Sequence, residues 1–252
     1  MADRPILFSA TMIRALLDGR KTLTRRNFPQ PFQSGYFQGE VFLDVLKATS
    51  RAPKAFRFSA EAVGGGAVLN EVFEPKINEG DRLWVRENAA VRYQGWHHED
   101  GDTHSVSYRA DEDETGQWLG FTSCGNGIRK GKAPSVFPRR SHNIDGSLRW
   151  QPSIHMPRWA SRITLTVTNV RVERLQDITE ADAIAEGAKQ YSSSTRLSRA
   201  FNPDWKGIYR EGYAELWNEI NGAGAWESNP WIVAYSFTVH RQNIDAMSKE
   251  AA

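Results

Sequence analysis

Apolar positions in the first thirty residues follow a helical rhythm and then an extended one. Met12, Ile13, Leu16 and Leu17 share one helical face, Ser9 stands at the N-cap position, and Gly19 is placed to end the helix. An extended segment follows from Thr22 to Phe28. Residues 29–77 are rich in Phe, Gln, Gly and Pro, include Gly64-Gly65-Gly66 and hold no sustained period, so they are expected to form an insertion with a short helix near Phe42 to Ala48. Gly80-Asp81 then turns the chain into a strand over Arg82–Glu87, with Leu83 and Val85 on one face. Residues 93–147 are a second irregular stretch, too long for a simple connection, with one strand near Ser105–Arg109.

The longest strand signal runs from Arg162 to Leu175. Ile163, Leu165 and Val167 lie on one face and Val170 and Val172 on the other, a change of phase that predicts a bulge or a bend. Thr179-Glu180-Ala181-Asp182 has the form of a capping box opening a short helix through Glu186, with Gly187 placed to end it. After a polar loop, Ser192 to Pro203, the residues Tyr209, Tyr213, Leu216, Trp217 and Ile220 outline an amphipathic helix. Trp231, Val233, Tyr235, Phe237 and Val239 alternate along a final strand, all facing inward. The order of elements predicts an α+β fold, a mixed β-barrel with flanking helices, and not a βαβ repeat. One domain over residues 1–245 is expected, with its core near 4–28, 78–92, 148–190 and 206–241, insertions at 29–77 and 93–147, and a flexible tail at 246–252.

Bulk composition narrows the classes without choosing among them. The 252 residues are 40% hydrophobic and 25% charged, which is ordinary for a globular protein. No apolar run has the length of a membrane span, and Met1-Ala2-Asp3-Arg4-Pro5 lacks the form of a secretory signal, so a cytoplasmic protein with no membrane partner is expected. Cys124 is the only cysteine and can form no internal disulfide. His97, His98 and His104 have no ligand spacing specific to a metal, so neither a metal nor another cofactor is expected. The net charge is only +2, but it is segregated. Residues 1–30 hold six cations against two acids and residues 128–162 eight against one, so the two stretches are candidates for a phosphate-binding surface. Glu99, Asp100, Asp102 and Asp111 to Glu114 form an acidic patch that would repel phosphate. Each run taken alone also fits a solvated surface.

The densest of these features is Gly19-Arg20-Lys21-Thr22-Leu23-Thr24-Arg25-Arg26, with four cations in eight residues directly after a helix. Such a segment suits phosphate contacts by arginine, or a threonine nucleophile beside a lysine whose pKa is lowered by neighbouring cations. By spacing alone, a solvated basic turn accounts for the segment better. On a strand, Thr24 and Arg26 share one face and Leu23 and Arg25 the other, so Lys21 and Thr24 converge only where the chain turns between them.

Gly19, Lys21, Thr24 and Arg26 match the G-x-K-x-x-[E/T]-x-R signature of ASCH domains, whose fold is a PUA-like barrel. Gly80-Asp81 with the following strand, the helix from Ile178 to Gly187 and the closing strand from Asn229 to Val239 resemble the family in the same order. With the stretch Trp150–Arg162, the chain is similar to the long ASCH proteins of phages and prophages, and the matches leave both insertions uncovered. Small bacterial members of the family are amidohydrolases that deacetylate N4-acetylcytidine with a Lys, a Thr and a Glu. By motif position the resemblance implies Lys21 as base, Thr24 as nucleophile and Glu186 as acid. It further implies RNA, DNA or a modified nucleoside as partner. Arg20, Arg25, Arg26, Trp84, Arg86, Glu87, Tyr108, His155, Arg158 and Trp159 are candidates to contact it, the aromatics by stacking on a base, Arg158 on phosphate and Glu87 on a base amino group. A non-catalytic RNA or DNA reader and a weak ribonuclease are the alternatives.

Overall fold

The computed structural model describes residues 2–28, 30–31, 37–47, 54–97, 101–111, 129–130, 149–191 and 208–250. The expected loop Ser192 to Pro203, Cys124, His98 and the greater part of 112–148 lie outside the described residues. What is described is a mixed α/β chain, mostly strand with few helices. It clusters into two compact units, one of Lys21–Gly80 and Val167–Phe237, the other of Ala2–Arg20, Asp81–Thr166 and Thr238–Ala252.

In the first unit, β2 (Leu23–Asn27) pairs antiparallel with β11 (Trp231–His240), setting Thr24 opposite Tyr235 and Arg26 opposite Val233. The strands β3 (Phe37–Lys47), β4 (Lys54–Ala62) and β5 (Val68–Phe73) form a three-stranded antiparallel sheet where an insertion with a helix near Phe42 to Ala48 was expected. The apolar spacing of Phe42, Val45 and Leu46 resembles a helical stripe, but Phe42 and Val45 are each 62% exposed and bury no such stripe. Pairing with β4 decides the conformation, Leu43 standing opposite Phe58 and Val45 opposite Phe56. Phe56, Phe58 and Ala60 alternate inward from β4. Phe28 lies 3.9 Å from Phe73 and 5.5 Å from Phe58 between ring centroids, and Phe58 meets Trp231 edge-on at 5.1 Å.

Among the described residues, this unit has the helices α2 (Glu180–Ala185) and α3 (Ile208–Asn221). Thr179 caps α2 by accepting a hydrogen bond from the Asp182 amide at 3.0 Å, Glu186 is its C-cap, and Gly187 follows at φ +76°. Leu175, Ile178, Ala183, Tyr213, Trp217, Trp226, Ile232 and Ala234 pack into one core cluster. A side chain at Gly212 would place its Cβ 2.0 Å from the Lys189 carbonyl oxygen, so α3 approaches that backbone as only glycine permits. The expected inward and outward alternation of β11 holds only toward its end. Trp231 through Tyr235 are all buried, because Ile232 and Ala234 face the helical cluster while Trp231 faces Phe58.

In the second unit, β1 (Asp3–Leu7) runs parallel to β6 (Arg82–Arg86), and β6 pairs antiparallel with the start of β10 (Thr164–Arg174). The helix α1 (Ala10–Leu17) begins at Ser9, which accepts from the Met12 amide, and Gly19 follows it at φ +74°. Burial along β10 changes phase as the sequence suggests, with Leu165 and Val167 buried, Thr168 exposed, and Val170 and Val172 buried. β7 (Ala89–His97) and β8 (Gly101–Tyr108) form a hairpin whose register shifts between Tyr93 and Gly95, and β9 (Arg129–Lys130) pairs with β8. The first arm of that hairpin lacks a clear alternation, and the sequence predicts no strand there; the register shift between Tyr93 and Gly95 breaks the alternation midway. Residues 246–250 belong to α4 (Ile244–Glu250), where a flexible tail was expected. Ile244 is fully buried, and the Asn243 side-chain amide donates to the carbonyls of Arg158 and Ser161 at 2.9 and 2.8 Å.

Candidate functional site

The motif lysine is the centre of a buried charge network in the first unit. Lys21 is 0% exposed, and its ammonium donates to three oxygens: Leu23 O at 2.8 Å, Glu186 O at 2.8 Å and Glu186 Oε2 at 2.6 Å. The Thr22 amide donates to Ala185 O, and the Phe237 amide to Thr22 O, so the start of β2 is fixed between the end of α2 and β11. Glu186 is itself buried. Its second oxygen, Oε1, accepts from the Tyr213 hydroxyl at 3.3 Å and lies 3.6 Å from Arg25 Nη1.

Arg25 has no exposed side-chain surface. It donates to Glu173 Oε1 at 2.7 Å from Nη2 and 3.1 Å from Nε, and to Asp182 Oδ2 at 3.1 Å. Three cations, Lys21, Arg25 and Arg26, thus face three carboxylates, those of Glu173, Asp182 and Glu186. Burial lowers the pKa of Lys21, with Glu186 opposing and Arg26 and Arg25 adding to the fall. Burial works against the charge on Arg25 as well, but Glu186 and Glu173 outweigh it and its pKa rises. Burial would raise Asp182, yet Arg25 and Arg171 hold its carboxyl below the usual value. Burial and the Glu186 charge push the Tyr213 hydroxyl well above its ordinary value, and burial lifts Tyr235 to about 12. Thr24 is buried on β2 opposite Tyr235.

The other candidates divide by unit. Arg26 is partly buried in the first, and burial lowers its pKa. Arg20, in the second, is exposed and paired with Asp18 at 2.8 Å. Also in the second, Trp84 is buried in β6 with the Arg86 guanidinium 4.6 Å from its ring centroid. Glu87 is 1% exposed, and both its oxygens accept from Arg162 at 2.9 Å, so neither is open to a base amino group. Tyr108 is fully buried, donates to Ala160 O at 2.8 Å and carries Arg162 3.9 Å from its ring centroid, which corrects its expected role as a stacking surface. Arg158, a candidate for phosphate, pairs its guanidinium with Asp3 and Asp245 at 2.6 and 2.7 Å. His155 is exposed in a short turn, and Trp159 packs half-buried against the Met156 cluster.

Sequence reasoning missed Glu173, Asp182 and Tyr213. Asp182 stood inside the capping box, Glu173 near the end of a β signal, and Tyr213 within the apolar stripe of a helix, and each position had a complete explanation without the site. Among the described residues no group of three or more His, Cys, Asp or Glu is arranged to hold a metal, and no helix is long and apolar enough to cross a membrane. Comparison with family models, curated proteins and solved structures returns no match for this chain.

Proposed function

We propose that the chain is an ASCH-type protein with a PUA-like barrel, and that Lys21, Thr24 and Glu186 hydrolyse the acyl amide of N4-acetylcytidine or a related modified base. The observation that carries the reading is the 2.6 Å contact between Lys21 Nζ and Glu186 Oε2, two motif residues 165 positions apart, with both side chains buried. The mechanism needs a neutral amine and a protonated carboxyl in one pocket. A single proton transfer from Lys21 Nζ to Glu186 Oε2 makes both at once, and burial works toward the neutral amine.

Neutral Lys21 then takes the Thr24 hydroxyl proton as the threonine oxygen attacks the acyl carbonyl. The C–N bond breaks, the Glu186 proton passes to the departing cytosine amine, and the lysine–glutamate ion pair is restored beside an acyl-threonine. Water cleaves that ester, releasing the carboxylic acid and regenerating Thr24. A reading as an RNA or DNA binder has less support from the same residues. Arg25 is committed to carboxylates inside the unit, and in the other unit Arg158 is committed likewise.

The test is incubation of the purified protein with a panel of acylated nucleosides and acetylated RNA, with products read by mass spectrometry. N4-acetylcytidine is expected to yield cytidine and acetate in equal amounts, and Thr24→Ala to lower kcat by roughly 10²-fold or more. Intact substrates throughout the panel, or a Thr24→Ala variant as active as the unaltered protein, would overturn the reading.

A further inference from the structure

We infer that Tyr213 and Arg25 are positioning residues for Glu186, holding its Oε1 as an acceptor so that a proton exchanged with Lys21 resides on Oε2. The inference rests on the amidohydrolase reading above and adds the groups that decide which carboxyl oxygen carries the proton.

The two oxygens of Glu186 have different neighbours. Oε2 faces Lys21 Nζ at 2.6 Å, whereas Oε1 faces the Tyr213 hydroxyl at 3.3 Å and Arg25 Nη1 at 3.6 Å. A carboxylic acid has one O–H. An oxygen already accepting from a phenol beside a guanidinium is the poorer place for it, because protonation there would oppose a donor and a positive charge. The proton leaving Lys21 therefore forms its O–H bond at Oε2, and it leaves from the same oxygen when the C–N bond breaks.

Both positioning groups are themselves held. Tyr213 is 4% exposed on α3, with Trp217 and Trp226 at 6.1 and 6.4 Å between ring centroids. The next residue back, Gly212, lets that helix turn approach the Lys189 backbone. Arg25 is fixed by Glu173 and Asp182, and its guanidinium carbon lies 6.0 Å from the centroid of the Tyr213 ring. The Tyr213 ring serves the core while its hydroxyl serves Glu186, and a substitution can separate the two.

Tyr213→Phe keeps the ring and removes the donor. Two readouts are needed: steady-state turnover of N4-acetylcytidine, and the NMR signal of the Lys21 ammonium, whose exchange with water reports how firmly its three acceptors hold it. The expected result is a kcat about tenfold lower or more with KM unchanged, and faster exchange of the Lys21 signal. A kcat within twofold of the unaltered protein, or an unchanged Lys21 signal, overturns the inference, because a tyrosine that only packs loses nothing in phenylalanine. If the unaltered protein hydrolyses no acylated nucleoside, the function proposed above fails, and the Lys21 signal alone then decides the positioning. Should Tyr213→Phe not fold, the hydroxyl proton of Tyr213 is read instead in the unaltered protein and in Glu186→Gln. A resonance that moves between the two supports the contact, and one that does not move or is absent in both overturns it.

Discussion

Lys21→Met is expected to lower the unfolding free energy by about 3–5 kcal/mol, the cost of removing one partner from a buried ion pair. Methionine fills much of the lysine volume, so the loss is electrostatic more than steric. The substitution leaves Glu186 Oε2 without its 2.6 Å donor and the carbonyls of Leu23 and Glu186 without theirs, all in a buried environment. Arg25 and Tyr213 still reach the other carboxyl oxygen, which places the expectation toward the lower end of the range. The measurement is the denaturant midpoint with its slope. Adding Glu186→Leu to Lys21→Met is expected to recover part of the loss, since the stranded charge is then gone. A midpoint for Lys21→Met within experimental scatter of the unaltered protein would contradict the network described here.

Arg162→Met is expected to have an effect of the same size in the other unit. Arg162 makes two 2.9 Å hydrogen bonds to Glu87 and a 2.8 Å ion pair with Asp111, and its guanidinium lies over Tyr108. Removing it isolates a carboxylate that is 1% exposed, at a cost of about 3–5 kcal/mol near neutral pH. The loss depends on pH in a definite direction. Burial already raises Glu87 even with Arg162 beside it, and without Arg162 the carboxyl rises further. A carboxyl whose folded pKa exceeds its unfolded one favours the fold at low pH and loses that advantage as pH rises through the folded value. The variant and the unaltered protein are therefore expected to approach each other in stability below about pH 4, where Glu87 is protonated in both states, and to diverge toward neutrality. Thermal denaturation across that range checks it. A difference independent of pH would show that Glu87 is not the group left stranded.

What the sequence made legible was governed by local signals. Ser9 and Gly19 bounded α1, Thr179 and Gly187 bounded α2, and the phase change from Val167 to Val170 marked β10, because caps, left-handed glycines and alternation act over a few residues. The sheet of β3, β4 and β5 was not legible, since Phe42, Val45 and Leu46 satisfy a helical spacing and only pairing with residues 54–59 selects the strand. The same limit governed the site. Lys21, Thr24 and Glu186 stood out through motif position, but no local pattern shows that Arg25 turns inward to Glu173 and Asp182, or that Tyr213 reaches Glu186 across 27 residues. The apparent cationic surface at Gly19 to Arg26 dissolves for that reason: Lys21 and Arg25 are interior groups, each answered by a carboxylate remote in sequence.

The proposed chemistry is tested most directly by the turnover of N4-acetylcytidine by Glu186→Gln. Glutamine retains the size of the side chain and an oxygen to accept from Lys21, but it can neither take a proton from the lysine nor deliver one to the leaving amine. If Glu186 is the acid of the proposed reaction, the variant is expected to fold and its kcat to fall by roughly 10²-fold or more while KM holds. A folded Glu186→Gln that turns over as fast as the unaltered protein would contradict it and leave the Lys21–Glu186 pair as a structural tie between β2 and α2.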